Sequence, residues 1–317
     1  MLNKKYDITQ CALYKCRSKK RLANLLNLSY ETLASIDSVV SYHKFRMYKS
    51  GTTEKREITA PNNDLKRVQK RILVLLQRVT RPSWLLSGEK GKSYIDNGKA
   101  HIDSRFALMV DIRKFYENCG RESVYRFFRE KLKVAPDIAE VLTDITTHDM
   151  RIPTGCPTSQ ILAYYAYCDM FEEIAETAAA HKCVFTLYVD DMTFSSPSHF
   201  NKDKLCSDVD RVLRKYGHRP KYRKTKYYSK DDSKPITGTI VTPDNQLDIP
   251  NSLQSKVFNG FKELKVLALD SDINEETVRK FSTVCGQIQA ANSIDSGRFR
   301  EIGRVMRGQM RSALQEQ

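Results

Sequence analysis

Apolar residues recur at helical spacing through residues 19–36, so the first 40 residues read as mainly helical, with Ser29 or Thr32 as candidate caps. The period then changes. Residues 42–48 and 56–59 are strand-like, separated by the polar turn Ser50-Gly51-Thr52-Thr53 and closed by Pro61, which predicts a hairpin. Residues 64–79 return to helical spacing, with Lys and Arg on the polar face. Residues 84–101 read as a polar loop containing Gly88, Gly91 and Gly98. The run Phe106-Ala107-Leu108-Met109-Val110-Asp111-Ile112 is apolar except for its acid, as a buried strand would be. One or two helices are expected over 121–147, a Pro/Gly-punctuated loop over 153–157, and an Ala- and Tyr-rich helix from 161 to about 180. Residues 183–195 are β-rich on both sides of Asp190-Asp191. A helix over 202–216 precedes a basic segment at 221–230, a strand over 236–241, and a helical region from 252 onward. There are no internal repeats or low-complexity tracts.

Composition narrows the class. Of the 317 residues, 40% are hydrophobic, enough for a sizeable core. Lys and Arg number 53 against 38 Asp and Glu, a formal charge of +15, which points to a polyanionic partner, most simply nucleic acid. The eight cysteines include no Cys-x-x-Cys pair, and with the histidines they complete no zinc pattern, so they read as reduced thiols. The N-terminus is polar, without a signal peptide's apolar stretch, and no run of about 18 apolar residues predicts a membrane helix. A cytoplasmic protein is expected.

The acids carry the candidate chemistry. Asp190-Asp191 lies between two β segments, where a tight turn would project carboxylates from a sheet edge; Asp111 ends the buried strand. An inert solvated turn is the plain alternative for the pair alone. Crowded carboxylates call for a cation, and oxygen ligands suit Mg²⁺. Two such ions can activate a hydroxyl and stabilise a leaving pyrophosphate, the chemistry of nucleotide polymerisation.

Four segments, in order, resemble reverse transcriptases. Tyr188-Val189-Asp190-Asp191 is similar to the family signature. Val110-Asp111-Ile112-Arg113-Lys114-Phe115-Tyr116 resembles the first catalytic motif. Ile152-Pro153-Thr154-Gly155-Cys156-Pro157-Thr158-Ser159 resembles the Leu-Pro-Gln-Gly-x-Pro-x-Ser loop, and residues 217–225 resemble the motif that closes in Lys-Thr, here Lys224-Thr225. The resemblance covers roughly residues 40–245. Asn97-Gly98-Lys99-Ala100-His101 resembles the Asn-Ala-x-x-His motif of the bacterial retron branch, with Gly98 for Ala. Ile236-Thr237-Gly238 resembles that branch's Val-Thr-Gly motif.

The resemblance implies an α+β right-hand polymerase: a helical extension over 1–40, fingers over 41–105, a palm with a small antiparallel sheet over 106–243 (with finger elements inserted around 120–150), and a helical thumb over 244–317. It implies a site of two Mg²⁺ ions, with Mn²⁺ as a substitute, held by Asp111, Asp190 and the Ile112 carbonyl, with Asp191 a looser ligand. Lys55 and Arg56 would grip the triphosphate, and Tyr116 would be the steric gate against a ribose 2′-OH. Gly155 would let backbone approach the nucleotide, and Lys224 would hold or protonate the pyrophosphate, although Lys221, Arg223 and Lys226 are rivals for phosphate contact. Thr154 stands where the family usually carries Gln, which puts the nucleotide contact there in question, and Gln160 stands where a Pro usually follows the Ser. Asn97 and His101 are expected to contact RNA or shape a loop, and Thr237 and Gly238 to lie near the primer or structured RNA. Basic thumb residues, among them Lys256, Arg298, Arg304 and Arg311, suit recognition of RNA by shape and phosphates. Partners implied are deoxynucleoside triphosphates, a cognate non-coding RNA serving as template and primer, a branched RNA–DNA product (msDNA), and a separate effector protein in anti-phage defence. Another bacterial reverse transcriptase, or a non-catalytic RNA-binding scaffold, is the rival reading.

Overall fold

The computed structural model describes residues 5–48, 53–267 and 275–315, with side chains as far as residue 308. The N-terminal region is helical but broken. Helix α1 (Lys19–Leu26) starts where the Ser18 side chain accepts the Arg21 N–H, and ends at Asn27 in the left-handed conformation. Helix α2 (Tyr30–Ala34) is capped by Ser29, whose hydroxyl accepts the Thr32 N–H, so Ser29 rather than Thr32 is the cap. Strands β1 (Tyr42–Tyr48) and β2 (Lys55–Pro61) form the expected antiparallel ribbon. Of its turn, Ser50, Gly51 and Thr52 lie outside the described residues. Helix α3 (Asn63–Leu76) is capped by Asn62 and buries Leu65, Val68, Ile72, Leu75 and Leu76.

The stretch read as a polar loop contains a helix, α4 (Tyr94–Lys99). Ser93 and Asp96 form a reciprocal capping box that stabilises it despite Gly98. Strand β3 (Phe106–Asp111) follows, then α5 (Phe115–Asn118), α6 (Arg121–Arg126), a π-helical turn (Phe127–Lys131) and α7 (Pro136–Thr146). The single helix expected from 161 to 180 is two: α8 (Ser159–Ala166) and α9 (Cys168–Ala180). The break falls at Tyr167, whose hydroxyl donates to Asn118 O and accepts the Gly120 N–H, tying the bend to the start of α6.

Strands β4 (Val184–Tyr188) and β5 (Asp191–Ser196), helix α10 (Lys202–Lys215) and strand β6 (Lys226–Tyr228) complete the central unit. Its antiparallel sheet has the order β4-β5-β3-β6. The strand expected over 236–241 is a hairpin, β7 (Lys234–Ile236) and β8 (Thr239–Val241), because Thr237 and Gly238 both take positive φ; β9 (Leu247–Asp248) joins it in a separate sheet. The chain ends in α11 (Asn251–Leu267), α12 (Glu275–Ile294) and α13 (Arg300–Gln315). One continuous apolar core runs from Cys11 to Leu213. A second, smaller one joins residues between Ile249 and Met306, including Val257, Val284 and Phe299. Among the described residues no helix is long and apolar enough to cross a membrane.

Candidate active site

The β4–β5 hairpin turns on two residues, Val189 and Asp190, because Tyr188 pairs with Asp191. Asp190 alone therefore occupies the turn, while Asp191 opens β5 directly opposite Asp111 on β3. The turn is strained: Val189 is β-branched yet has φ 63°, a conformation costing on the order of 1–3 kcal/mol. Its surroundings hold it there. The Val189 N–H donates to Ser87 Oγ (2.8 Å), the Leu187 N–H to Trp84 O (2.9 Å) and the Leu86 N–H to Leu187 O (3.0 Å). Residues 84–87 thus line the outer edge of β4, and a buried Arg81–Glu89 ion pair anchors that segment.

On the other side, the Ile112 N–H donates to Asp190 O (3.2 Å), and the Lys221 N–H to Asp111 O (2.7 Å). The segment after α10 therefore runs along the end of β3 and delivers Lys224. The Lys224 ammonium donates to Asp111 Oδ2 (2.7 Å), and this hydrogen bond raises its pKa. Burial, then the charges of Asp191 and Asp111, push Asp190 up to about 6; burial and Asp111 also raise Asp191. Three mutually destabilising carboxylates in a partly desolvated place form a site that gains from an added cation. Among the described residues no group of three His, Cys, Asp or Glu side chains is arranged to hold a metal ion; beside Asp111 the charge is balanced by Lys224. The donor set, carboxylate oxygens with the nearby Ile112 carbonyl, fits a hard divalent ion.

Asp111 and Asp190 open onto a cleft of about 530 Å³. Its walls bring together Lys55, Arg56, Tyr116, Thr154 and Lys224, which are far apart in sequence. Tyr116 is the second residue of α5, which begins after Lys114, a residue with φ 52°. Burial first and Asp190 second hold its phenol neutral. The Thr154 hydroxyl reaches only Glu57 O, at 3.5 Å. Gly155 makes a close contact of its own within the chain. Its N–H donates to Thr59 O (2.9 Å), and a Cβ there would lie 2.7 Å from that oxygen and 2.8 Å from Ile58 Cγ2. The close approach it permits is to strand β2, which docks the ribbon against the cleft. Lys44, Lys114, Arg151 and Lys221 also line the cleft. Of these, Lys44 and Arg151 had no local motif to mark them.

Of the two roles expected for Asn97 and His101, RNA contact is corrected, because both side chains are fully buried, and the loop-shaping role is left. They bond internally: Asn97 to Thr237 and Thr186, His101 to Thr186 and Ser195. Burial lowers the His101 pKa to about 4. Thr237 is half-buried and Gly238 exposed at the β7–β8 turn. Arg298 and Arg304 are exposed; Arg298 lies 3.5 Å from Asp248, and Arg304 pairs with Glu301 at 2.6 Å. The Arg311 side chain lies outside the described residues.

A family model described as reverse transcriptase (RNA-dependent DNA polymerase) matches residues 16–256. The chain belongs to this family. Within it, the chain is similar to the Retron Se72 reverse transcriptase of Salmonella heidelberg, 24% identical over 205 residues, 63% of this chain and 54% of that protein. It is also similar to the Retron Ec48 reverse transcriptase of Escherichia coli, 25% identical over 303 residues, 90% of this chain and 72% of that one. The chain thus spans between about half and three-quarters of these relatives' lengths. Among solved structures, telomerase from Candida albicans in complex with a fragment of telomeric RNA matches with a TM-score of 0.50 at 13% identity, covering 88% of this chain and 59% of that one. That likeness concerns the fold, and with the family match it gives the chain a reverse-transcriptase fold of mixed helices and small antiparallel sheets, consistent with a right-hand polymerase.

Proposed function

We propose that the cleft carries out RNA-templated DNA synthesis of the retron type. The observation that carries this reading is the meeting of Asp111, Asp190 and Asp191 at one end of the sheet, with Asp111 and Asp190 facing a cleft lined by Lys55, Arg56, Tyr116 and Lys224. The primer hydroxyl attacks the α-phosphorus of a deoxynucleoside triphosphate, forming a phosphodiester and releasing pyrophosphate. Asp111, Asp190 and Asp191, with the Ile112 carbonyl, would hold two Mg²⁺ ions, with Mn²⁺ as a substitute. Bound there, the ions supply charge stabilisation to the attacking and leaving oxygens. The remaining work falls to the chain's own side chains. Lys55 and Arg56 on β2 hold the triphosphate, Arg56 with its planar fork. The Tyr116 ring closes the space a ribose 2′-OH would need. Lys224 exchanges its contact with Asp111 for the departing pyrophosphate and gives it a proton. Lys44 and Arg151 add positive charge to the same wall. Residues 41–105 act as fingers, 106–243 as palm and 244–317 as thumb, where Arg298 and Arg304 meet RNA phosphates; Thr237 and Gly238 face the primer side.

The retron part of the reading is supported by the relatives and by the motifs at 97–101 and 236–238. It entails a cognate structured RNA that is template and primer, DNA joined to an internal 2′-OH, and a separate effector in a cytoplasmic anti-phage system. Purification from cells carrying the native locus tests it. A single short DNA covalently linked to RNA is the expected copurifying species. Unlinked DNA, or heterogeneous RNA with no DNA, would overturn the retron assignment.

A further inference from the structure

Six side chains form an unbroken polar chain through the interior. The Asn97 amide donates to Thr237 Oγ1 (2.8 Å), Thr186 Oγ1 donates to Asn97 Oδ1 (2.6 Å), and His101 bridges Thr186 (2.7 Å) to Ser195 (2.6 Å), beside Ser104 (2.7 Å). Counting protons fixes every direction. Thr186 has one hydroxyl proton and gives it to Asn97, so it must accept from His101 Nε2–H. The Nδ1 of the neutral ring then accepts from Ser195, and Ser195 accepts from Ser104. All groups are neutral and every bond in the chain has a donor, the condition under which a buried network rigidifies its surroundings rather than weakening them.

The chain connects what the backbone leaves unconnected. β4 and β5 carry the Val189-Asp190 turn, whereas Thr237 sits on the β7–β8 turn of another sheet, and no strand ladder joins the two sheets. Helix α4 lies between them, touching both β4 and β8. Gly98 lets it approach: a Cβ there would fall well under 3.0 Å from Thr239 Oγ1. Thr186 and Ser195 stand on β4 and β5, the two strands that the Val189-Asp190 turn joins, so the polar chain runs from the catalytic hairpin to the β7–β8 turn in four hydrogen-bonded steps or fewer.

We infer that Asn97, Thr186 and His101 are positioning residues that hold the Thr237-Gly238 turn in register with the Asp190 hairpin, so that a primer end lying on that turn meets the acids at a fixed separation. This inference rests on the polymerase reading above. None of the three touches substrate. Their effect is on alignment, where a misplacement of about 1 Å can cost up to about a hundredfold in rate.

The test uses the full chain on a primed RNA template, with rates corrected for folded fraction and melting measured in parallel. Thr186→Val keeps the shape and removes the hydroxyl; Thr186→Ser restores it; Thr237→Val cuts the far end, where the side chain is only half-buried. Thr186→Val is expected to lower kcat or raise the primer–template KM by about tenfold or more, with the nucleotide KM within about twofold of wild type. Thr186→Ser is expected to recover most of that loss, and Thr237→Val to reproduce the Thr186→Val split. If both Val variants melt lower yet keep wild-type kcat and primer KM, the network is only structural and the inference fails. Should Thr186→Val not fold, Thr237→Val decides by the same criteria. Inactive wild type would overturn the polymerase reading and this inference together, whereas active wild type with unchanged variants overturns the inference alone.

Discussion

Replacing Gly98 with Ala puts into this chain the residue usual at that position of the motif it resembles, and two opposed effects decide the result. Gly98 lies inside α4 with φ outside the left-handed region, so Ala gains about 1 kcal/mol from helix propensity. Against this, the new methyl would fall well under 3.0 Å from Thr239 Oγ1 and 3.0 Å from Leu247 Cδ2. Thr239 is fully buried and its hydroxyl donates to Ile236 O (2.8 Å), so it cannot swing aside without losing that bond. Overpacking of this kind costs about 1–3 kcal/mol, and a lost buried hydrogen bond adds about 1 kcal/mol or more. The net expectation is destabilisation of about 1–3 kcal/mol. Thr239→Ala alone should also destabilise, by about 1–2 kcal/mol, through the missing bond and methyl. Combined, the two changes relieve each other, with a coupling energy of about 2 kcal/mol toward stability. Urea denaturation of the four proteins measures this cycle. If Gly98→Ala stabilises the otherwise wild-type protein, or if the two changes simply add, the close packing of α4 on β8 is refuted.

Gly155→Ala should push β2 away from the cleft wall and raise the nucleotide KM by about tenfold, with little change in primer–template KM; steady-state kinetics would show a normal nucleotide KM if Gly155 has no docking role. Tyr116→Ala should increase ribonucleotide incorporation, scored by alkali-sensitive product; unchanged sugar selectivity removes Tyr116 as the gate. Burial lowers the His101 pKa from 6.5 to about 4, so the unfolded chain binds the extra proton between those values. Stability is therefore full above pH 6.5 and falls as pH drops toward 4, by roughly 3 kcal/mol from this residue. His101→Gln should flatten that slope in pH-dependent denaturation, and an equal slope in both proteins would place the titration elsewhere.

The parts of the fold legible in the sequence are those that bury one face over many residues. Helices α3 and α10, strand β3 and the β4–β5 hairpin lie near their predicted places because the apolar period alone specifies them. Helix α4 is not legible in the apolar period because six residues with an internal glycine carry too little periodicity; its capping box is the available signal. The break at Tyr167 comes from a tertiary hydrogen bond to Asn118 O, which no local pattern encodes. At the site, the acids and Lys224 stood in recognisable motifs. Asn97 and His101 were equally visible as a motif, but motif spacing does not say which side faces inward, and the structure buries both. Lys44 and Arg151 reach the cleft only through packing of the β1–β2 ribbon against the loop after α7.

Primer extension on an RNA template with deoxynucleoside triphosphates and Mg²⁺ tests the central claim most directly, comparing wild type with Asp190→Ala. The wild type should extend the primer to the template's end, and Asp190→Ala, which removes the carboxylate from the Val189-Asp190 turn, should lose at least about a thousandfold in rate while binding the primed RNA as tightly. Equal extension by both proteins, or none by the wild type on any RNA including that copurified with it, would contradict the account.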